Sequence, residues 1–209
     1  LIEITAIVAR ATDAATGGPL LDVILDAAGQ KGTGRWTVIE AQRLAAPIPA
    51  IDTAVTARNL SSRVDARAKG EALFGAAPRR LASDALTLDH LAEALIAGKI
   101  LCYAQGFGMI SAAAKDFGWA LPLPDIARVW RAGCIIRSTM LNDMARALSD
   151  DADRNLMLAP AFADMLRGSH DGLRRVVAQA ALHGLPTPAL SSGLSYFDTM
   201  RTARGTADM

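Results

Sequence analysis

From Thr87 to Gly118 the chain carries no proline, and Leu88, Leu91, Ala92 and Leu95 recur at helical spacing. One long, unbroken helix is predicted there. Its middle is crowded with small residues: Ala97, Gly98, Cys102, Ala104, Gly106, Gly108 and the run Ser111–Ala114. A solvated helix gains nothing from so many short side chains. A helix enclosed by other helices does, because interaxial distance is set by the side chains at the contact. The segment is therefore expected to be the central helix of a bundle. Gly106-Phe107-Gly108 looks like half of a dinucleotide-binding fingerprint, but the third glycine is missing and no strand precedes it.

The remaining chain follows the same periodicity, without alternating β-branched runs, so the expected fold class is all-α: a multi-helix bundle of about ten helices, with no strand and no internal repeat. Breakers divide it. Gly17-Gly18-Pro19 precedes a helix that Ala28-Gly29 closes. A further helix is expected from Arg35 or Trp36, Ala46–Pro49 ends it, and another runs from Ala50 to the Gly75–Pro78 stretch. Leu121–Pro124 follows the central helix, with Asp125 entering the next, and Gly184–Pro188 precedes the last.

Charge excludes several functions. With 22 Lys+Arg against 21 Asp+Glu the net charge is +1, which leaves no electrostatic footprint for nucleic acid or an anionic membrane. No stretch approaches 18 uninterrupted apolar residues; the best, Ile96–Val129, is broken by Lys99, Gln105, Lys115, Asp116 and Asp125, so no transmembrane helix is expected. The opening LIEITAIVARA has no basic leader or cleavage site. It does not begin with Met, which marks the chain as a candidate piece of something longer. Cys102 and Cys134 lack CxxC spacing and are expected to be buried, reduced thiols of a cytoplasmic protein.

One segment makes an unusual local demand: Gly29-Gln30-Lys31-Gly32-Thr33-Gly34-Arg35-Trp36-Thr37. Its glycines free the backbone for positive φ and close approach. A Gly-rich turn feeding a helix start offers free N–H groups at a positive dipole end. With Lys31, Thr33 and Arg35 added, this is a candidate anion site, most naturally for phosphate; the structural alternative is a flexible turn with solvated charges. It is not a P-loop, because Arg35 and Trp36 stand where Lys and Ser/Thr belong and the preceding segment is helical. Arg58 lies on an otherwise small and apolar stretch and needs a partner, either a carboxylate of the chain or a phosphate gripped bidentately. Arg131 and Arg137 are expected to make structural pairs. His90, His170 and His183 are scattered and look like helix-end or surface residues; no metal is implied. Ser191, Ser192 and Ser195 form no nucleophile elbow, and Asp150, Asp151 and Asp153 look like a solvated acidic loop. A phosphate cradle without a general base describes a chain that holds a ligand whose chemistry is done elsewhere.

Several blocks together resemble 6-phosphogluconate dehydrogenase: Leu1–Thr5, Asp26–Thr37, Ala54–Ser62, Tyr103–Phe107, Trp130–Ser138 and Leu194–Asp198. They occur in the family's order along essentially the whole chain, and GQKGTG-[KR]-WT and WR-x-GCIIRS are highly specific. The resemblance implies oxidative decarboxylation of 6-phosphogluconate to ribulose 5-phosphate with NADP, in the pentose phosphate pathway, by a cytoplasmic homodimer. It implies that residues 1–209 form a single helical domain, for substrate binding and dimerisation, without the family's N-terminal Rossmann domain and C-terminal tail. By motif match, Lys31, Thr33 and Arg58 are the ligands of the substrate phosphate; Arg35 stands where many members have Lys. The family's catalytic Lys and Glu precede the LIEIT block, so no catalytic residue is assigned and the chain alone is expected to be inactive. A stand-alone helical oligomerisation or anion-binding module is the alternative. Another β-hydroxyacid dehydrogenase is weaker, because of the GQKGTG block.

Overall fold

The structure, a computed structural model, describes residues 2–29, 31–78, 81–82 and 84–205. Leu1 and Gln30, which belong to the sequence blocks above, lie outside the described residues. In chain order the helices are α1 (Ile2–Arg10), α2 (Leu20–Val23), α3 (Thr33–Arg43), α4 (Pro49–Ser61), α5 (Val64–Phe74), α6 (Leu88–Phe117), α7 (Leu123–Trp130), α8 (Met140–Asp150), α9 (Pro160–Arg167), α10 (His170–Leu182) and α11 (Pro188–Met200), with a 3₁₀ turn at Leu156–Leu158. Among the described residues no strand forms; a single bridge joins Thr12 to Pro19. The all-α expectation is met.

The central helix starts and stops where the sequence places it. Thr87 caps α6, its hydroxyl accepting the His90 N–H (3.2 Å) while His90 Nδ1 accepts the Thr87 N–H, a reciprocal box that satisfies two end groups. Gly118 ends the helix in the left-handed conformation at φ 66°. Ala94, Ala97, Ile100, Leu101, Ala104 and Phe107 are buried, packed with Leu141, Met144, Phe162 and Leu173 of the neighbouring helices. Each large side chain fully withdrawn from water contributes about 1.5–3 kcal/mol. By length and composition α6 is long and apolar enough to cross a membrane, although the sequence shows no run of 18 uninterrupted apolar residues; one face of it builds the bundle core. Small residues do bring helices close: a Cβ on Gly98 would lie 2.7 Å from Leu190 Cδ2 of α11, and one on Gly172 of α10 would collide with Glu93 of α6. The enclosure is one-sided, however, since Leu88, Leu91, Leu95 and Ile96 remain exposed.

Three boundaries differ from expectation. The helix expected through Ala28 is a single turn, α2, because Leu21, Val23, Ile24 and Leu25 find nothing to pack on and stay exposed. The helix expected from Arg35 begins at Thr33, after Gly32. The helix expected over Ala50–Gly75 is two, because the hydroxyls of Ser61 and Ser62 turn back onto the carbonyls of Arg58 and Asn59 (2.8 Å each). The α4 start is pinned by a buried bond from the Ala50 N–H to Gln105 Oε1 of α6 (2.9 Å).

Candidate anion-binding site

Gly32 is where the Gly-rich turn requires glycine: its φ is 102°, a conformation L side chains rarely adopt. Trp36 packs over it, its ring 3.4 Å from where a Cβ would be. Gly34 does a different job. It is helical, and a Cβ there would lie 3.0 Å from Val55 Cγ2, so its smallness lets α3 approach α4. Gly29 has open space around it. The first helical hydrogen bond runs from the Trp36 N–H to Gly32 O (3.0 Å), leaving the N–H groups of Thr33, Gly34 and Arg35 without helical partners. The first turn of α3 holds no acidic residue, and both Lys31 and Thr33 are exposed.

Arg58 arrives from α4. It stands one turn after Val55, which meets Gly34, and one turn before Ser61, whose Oγ accepts the Ala28 N–H (2.9 Å). At 100° per residue these three side chains fan out in order, so Arg58 lies between the two links both along and around the helix. These two links hold α4 against Gly34 of α3 and against Ala28, one on either side of Arg58 along the helix. No carboxylate pairs with Arg58, Lys31 or Arg35 among the described residues, whereas Arg43, Arg67, Arg128, Arg146, Arg154 and Arg167 all have acidic partners.

The other sequence candidates fall elsewhere. Arg137 pairs with Glu3 of α1 (3.7 Å), as expected, but Arg131 forms no ion pair among the described residues and its buried Nε has no hydrogen-bond partner among them. The Trp130–Ser138 block is latched to α6, Lys99 Nζ donating to Ser138 Oγ and Tyr103 OH to Ile136 O, both at 2.7 Å. Burial there holds the Lys99 ammonium below its ordinary pKa and pushes the Tyr103 phenol up to about 12, with Cys134 and Cys102 adding to the rise. Contrary to expectation the thiols are not buried: Cys102 is exposed and Cys134 half-buried, both free, though desolvation still raises the Cys102 pKa. The acidic loop is not merely solvated. Asp153 pairs with Lys115 (2.8 Å), which lowers its pKa, and Asp151 accepts the N–H groups of Asp153 and Arg154. His90 caps α6, His183 ends α10, and His170 stacks on Phe197 at 5.3 Å. A cleft of about 290 Å³ between α6 and the turn after α8 shares no lining residue with the anion site.

Sequence reasoning missed Asp26, Ser61 and Arg67. Arg67 Nη1 and Nη2 donate to Asp26 Oδ2 (2.8 Å) and Asp26 O (2.7 Å), and Nη2 also to Ser61 O (3.0 Å). These contacts join residues up to 41 positions apart, and no local pattern announces them.

Residues 1–209 match the family model for the C-terminal domain of 6-phosphogluconate dehydrogenase. The chain belongs to this family. A decarboxylating, NAD(+)-dependent 6-phosphogluconate dehydrogenase of Bacillus subtilis (strain 168) is 42% identical over 213 residues, covering all of this chain and 45% of that protein. The decarboxylating enzyme of Schizosaccharomyces pombe is 44% identical over 97% of this chain and 42% of its own length. Among solved structures, Plasmodium falciparum 6-phosphogluconate dehydrogenase, described in apo form and with its cofactor NADP+ and its substrate 6-phosphogluconate, superposes with a TM-score of 0.92 at 34% identity, over 99% of this chain and 45% of that one. The chain spans about 45% of the 6-phosphogluconate dehydrogenases it matches.

Proposed function

We propose that residues 1–209 are one helical domain of a 6-phosphogluconate dehydrogenase that oxidatively decarboxylates 6-phosphogluconate to ribulose 5-phosphate with NADP, and that Lys31, Thr33 and Arg58 hold the substrate's phosphate. The observation that carries this reading is the placement of Arg58, uncompensated by any carboxylate among the described residues, between the two links that bring α4 against the start of α3. A phosphate there would meet an ammonium, a guanidinium, a hydroxyl and N–H groups of a helix start that have no partner within the helix. Such charge-assisted bonds are about twice as strong as neutral ones. Holding the phosphate fixes one end of the sugar acid, so the carbons to be oxidised and decarboxylated reach the catalytic groups in one pose.

The residues of this chain do not fit the dinucleotide. Gly106-Phe107-Gly108 lies inside α6, where backbone N–H groups are already hydrogen-bonded within the helix. Oxidation is therefore assigned to groups beyond this polypeptide, and the 209-residue chain alone is predicted not to reduce NADP. The domain is further proposed to pair as a homodimer. Ile2, Ile4 and Ile7 on α1, and Leu73 and Phe74 at the end of α5, stand exposed, which is the mark of surfaces that meet a partner.

Isothermal titration with sulfate, a stand-in for the phosphate group, tests the site. Lys31→Ala and Arg58→Ala are each expected to weaken binding at least about tenfold. Unchanged affinity in both variants would reject the assignment.

A further inference from the structure

The irregular stretch at Asp26–Ala28 meets a junction more than 30 residues further along the chain, formed by the last turn of α4 and the first turn of α5. Two side chains make the junction. Ser61 Oγ accepts the Ala28 N–H (2.9 Å) and donates to Arg58 O (2.8 Å), so one hydroxyl connects the approach to the Gly-rich turn with the backbone of Arg58 itself. The Arg67 guanidinium, from α5, reaches the Asp26 carboxylate, the Asp26 carbonyl and the Ser61 carbonyl at 2.7–3.0 Å. We infer that Ser61 and Arg67 are positioning residues for phosphate binding, a clasp that holds Lys31 and Thr33 in register with Arg58. The inference rests on the phosphate-site reading above and extends it to residues that touch no ligand.

The physical case is one of ordering. Two described positions of the Gly-rich segment carry no packing of their own: a Cβ on Gly29 would meet nothing within 4 Å, and Gly32 sits at φ 102°. Glycine gives up the most conformational freedom when fixed, so an untethered turn would have to be ordered by the ligand at a loss of affinity. The clasp orders it in advance. The hydrogen bond from the Ser61 hydroxyl and three from the Arg67 guanidinium go to protein acceptors. Arginine suits this geometry because its planar fork sends donors from two separate nitrogens to acceptors on two segments, whereas the three donors of an ammonium all leave one atom. Arg67 also neutralises Asp26, an acidic group five residues before Lys31 whose side chain is 85% exposed.

Sulfate titration of this chain and its variants, with thermal melts alongside, decides the matter. Arg67→Ala and Ser61→Ala are expected to weaken binding about fivefold each, the scale of one hydrogen bond, with melting midpoints close to the parent's. Arg67→Lys should be intermediate, and Ser61→Thr, which keeps the hydroxyl, should restore affinity. In the Arg58→Ala background Arg67→Ala should add nothing, since there is no longer a second half to align; a merely structural role would lower the midpoint in both backgrounds and leave no such coupling. If Arg67→Ala fails to fold, the Ser61→Ala and Ser61→Thr pair carries the test alone. Full affinity in Arg67→Ala and Ser61→Ala, with affinity lost in Lys31→Ala, overturns the clasp and spares the phosphate site. Equal affinity in the parent and in both Lys31→Ala and Arg58→Ala, or no binding by the parent, overturns the phosphate site and the clasp with it.

Discussion

Gly172 and Gly108 are both helical glycines, and they meet opposite surroundings. A Cβ on Gly172 would run into the Glu93 side chain and lie 3.1 Å from the His90 carbonyl of α6, and that backbone cannot yield as a side-chain tip can. Gly172→Ala is predicted to destabilise the fold by about 1–3 kcal/mol, the ordinary scale of overpacking. Gly108 has nothing within 4 Å and an unstrained helical backbone, so Gly108→Ala should stabilise by about 0.4–1 kcal/mol through the unfolded chain. Urea midpoints of the two variants check both signs at once. In the sequence these glycines look alike; only the neighbouring helix, which local pattern does not encode, separates them. Gly32 differs again, because its φ of 102° makes any side chain strained there whatever the space.

Elements were legible where their end signals act locally. Thr87 and Gly118 bound α6 because a cap and a left-handed stop work within one turn of their own position. The α4–α5 break was not legible, since Ser61 and Ser62 in a helical run are also compatible with continuation, and it is the bonds to Arg58 O, Asn59 O and Ala28 N–H that fix them in a stop. The same holds for α2, whose apolar residues promise a longer helix but find no surface to bury against. The latch between α6 and the Trp130–Ser138 block carries a prediction at this scale. The Tyr103 phenol titrates at about 12 in the folded chain against an ordinary value of 10.0. The folded state therefore keeps a proton that the unfolded state releases, and this stabilisation is full below pH about 10 and is lost as pH rises through about 12. Urea melts across that alkaline window should show stability falling with pH in the parent and a shallower fall in Tyr103→Phe. Equal slopes would contradict the assignment.

Across the whole molecule, fold class was readable because it rests on periodicity. Lys31 and Thr33 stand out as anion-site candidates by a block of glycines and cations, whereas Arg58 is assigned to the phosphate only through the family resemblance. How α3 and α4 come together was not readable, because the meeting depends on Gly34 against Val55 and on the Ser61 and Arg67 bonds, all of them long-range. The apolar residues of α1, α2 and α5 that stand exposed make up faces that periodicity alone would place in a core. We propose above that this domain grips 6-phosphogluconate by its phosphate, at the start of α3 and the last turn of α4. Amide-resolved NMR titration with 6-phosphogluconate, set against gluconate, tests it most directly. Saturable shifts at Lys31–Arg35 and Arg58 with the phosphorylated sugar acid, and none there with gluconate, are the predicted result; shifts confined to other residues, or the same shifts with both ligands, would contradict it.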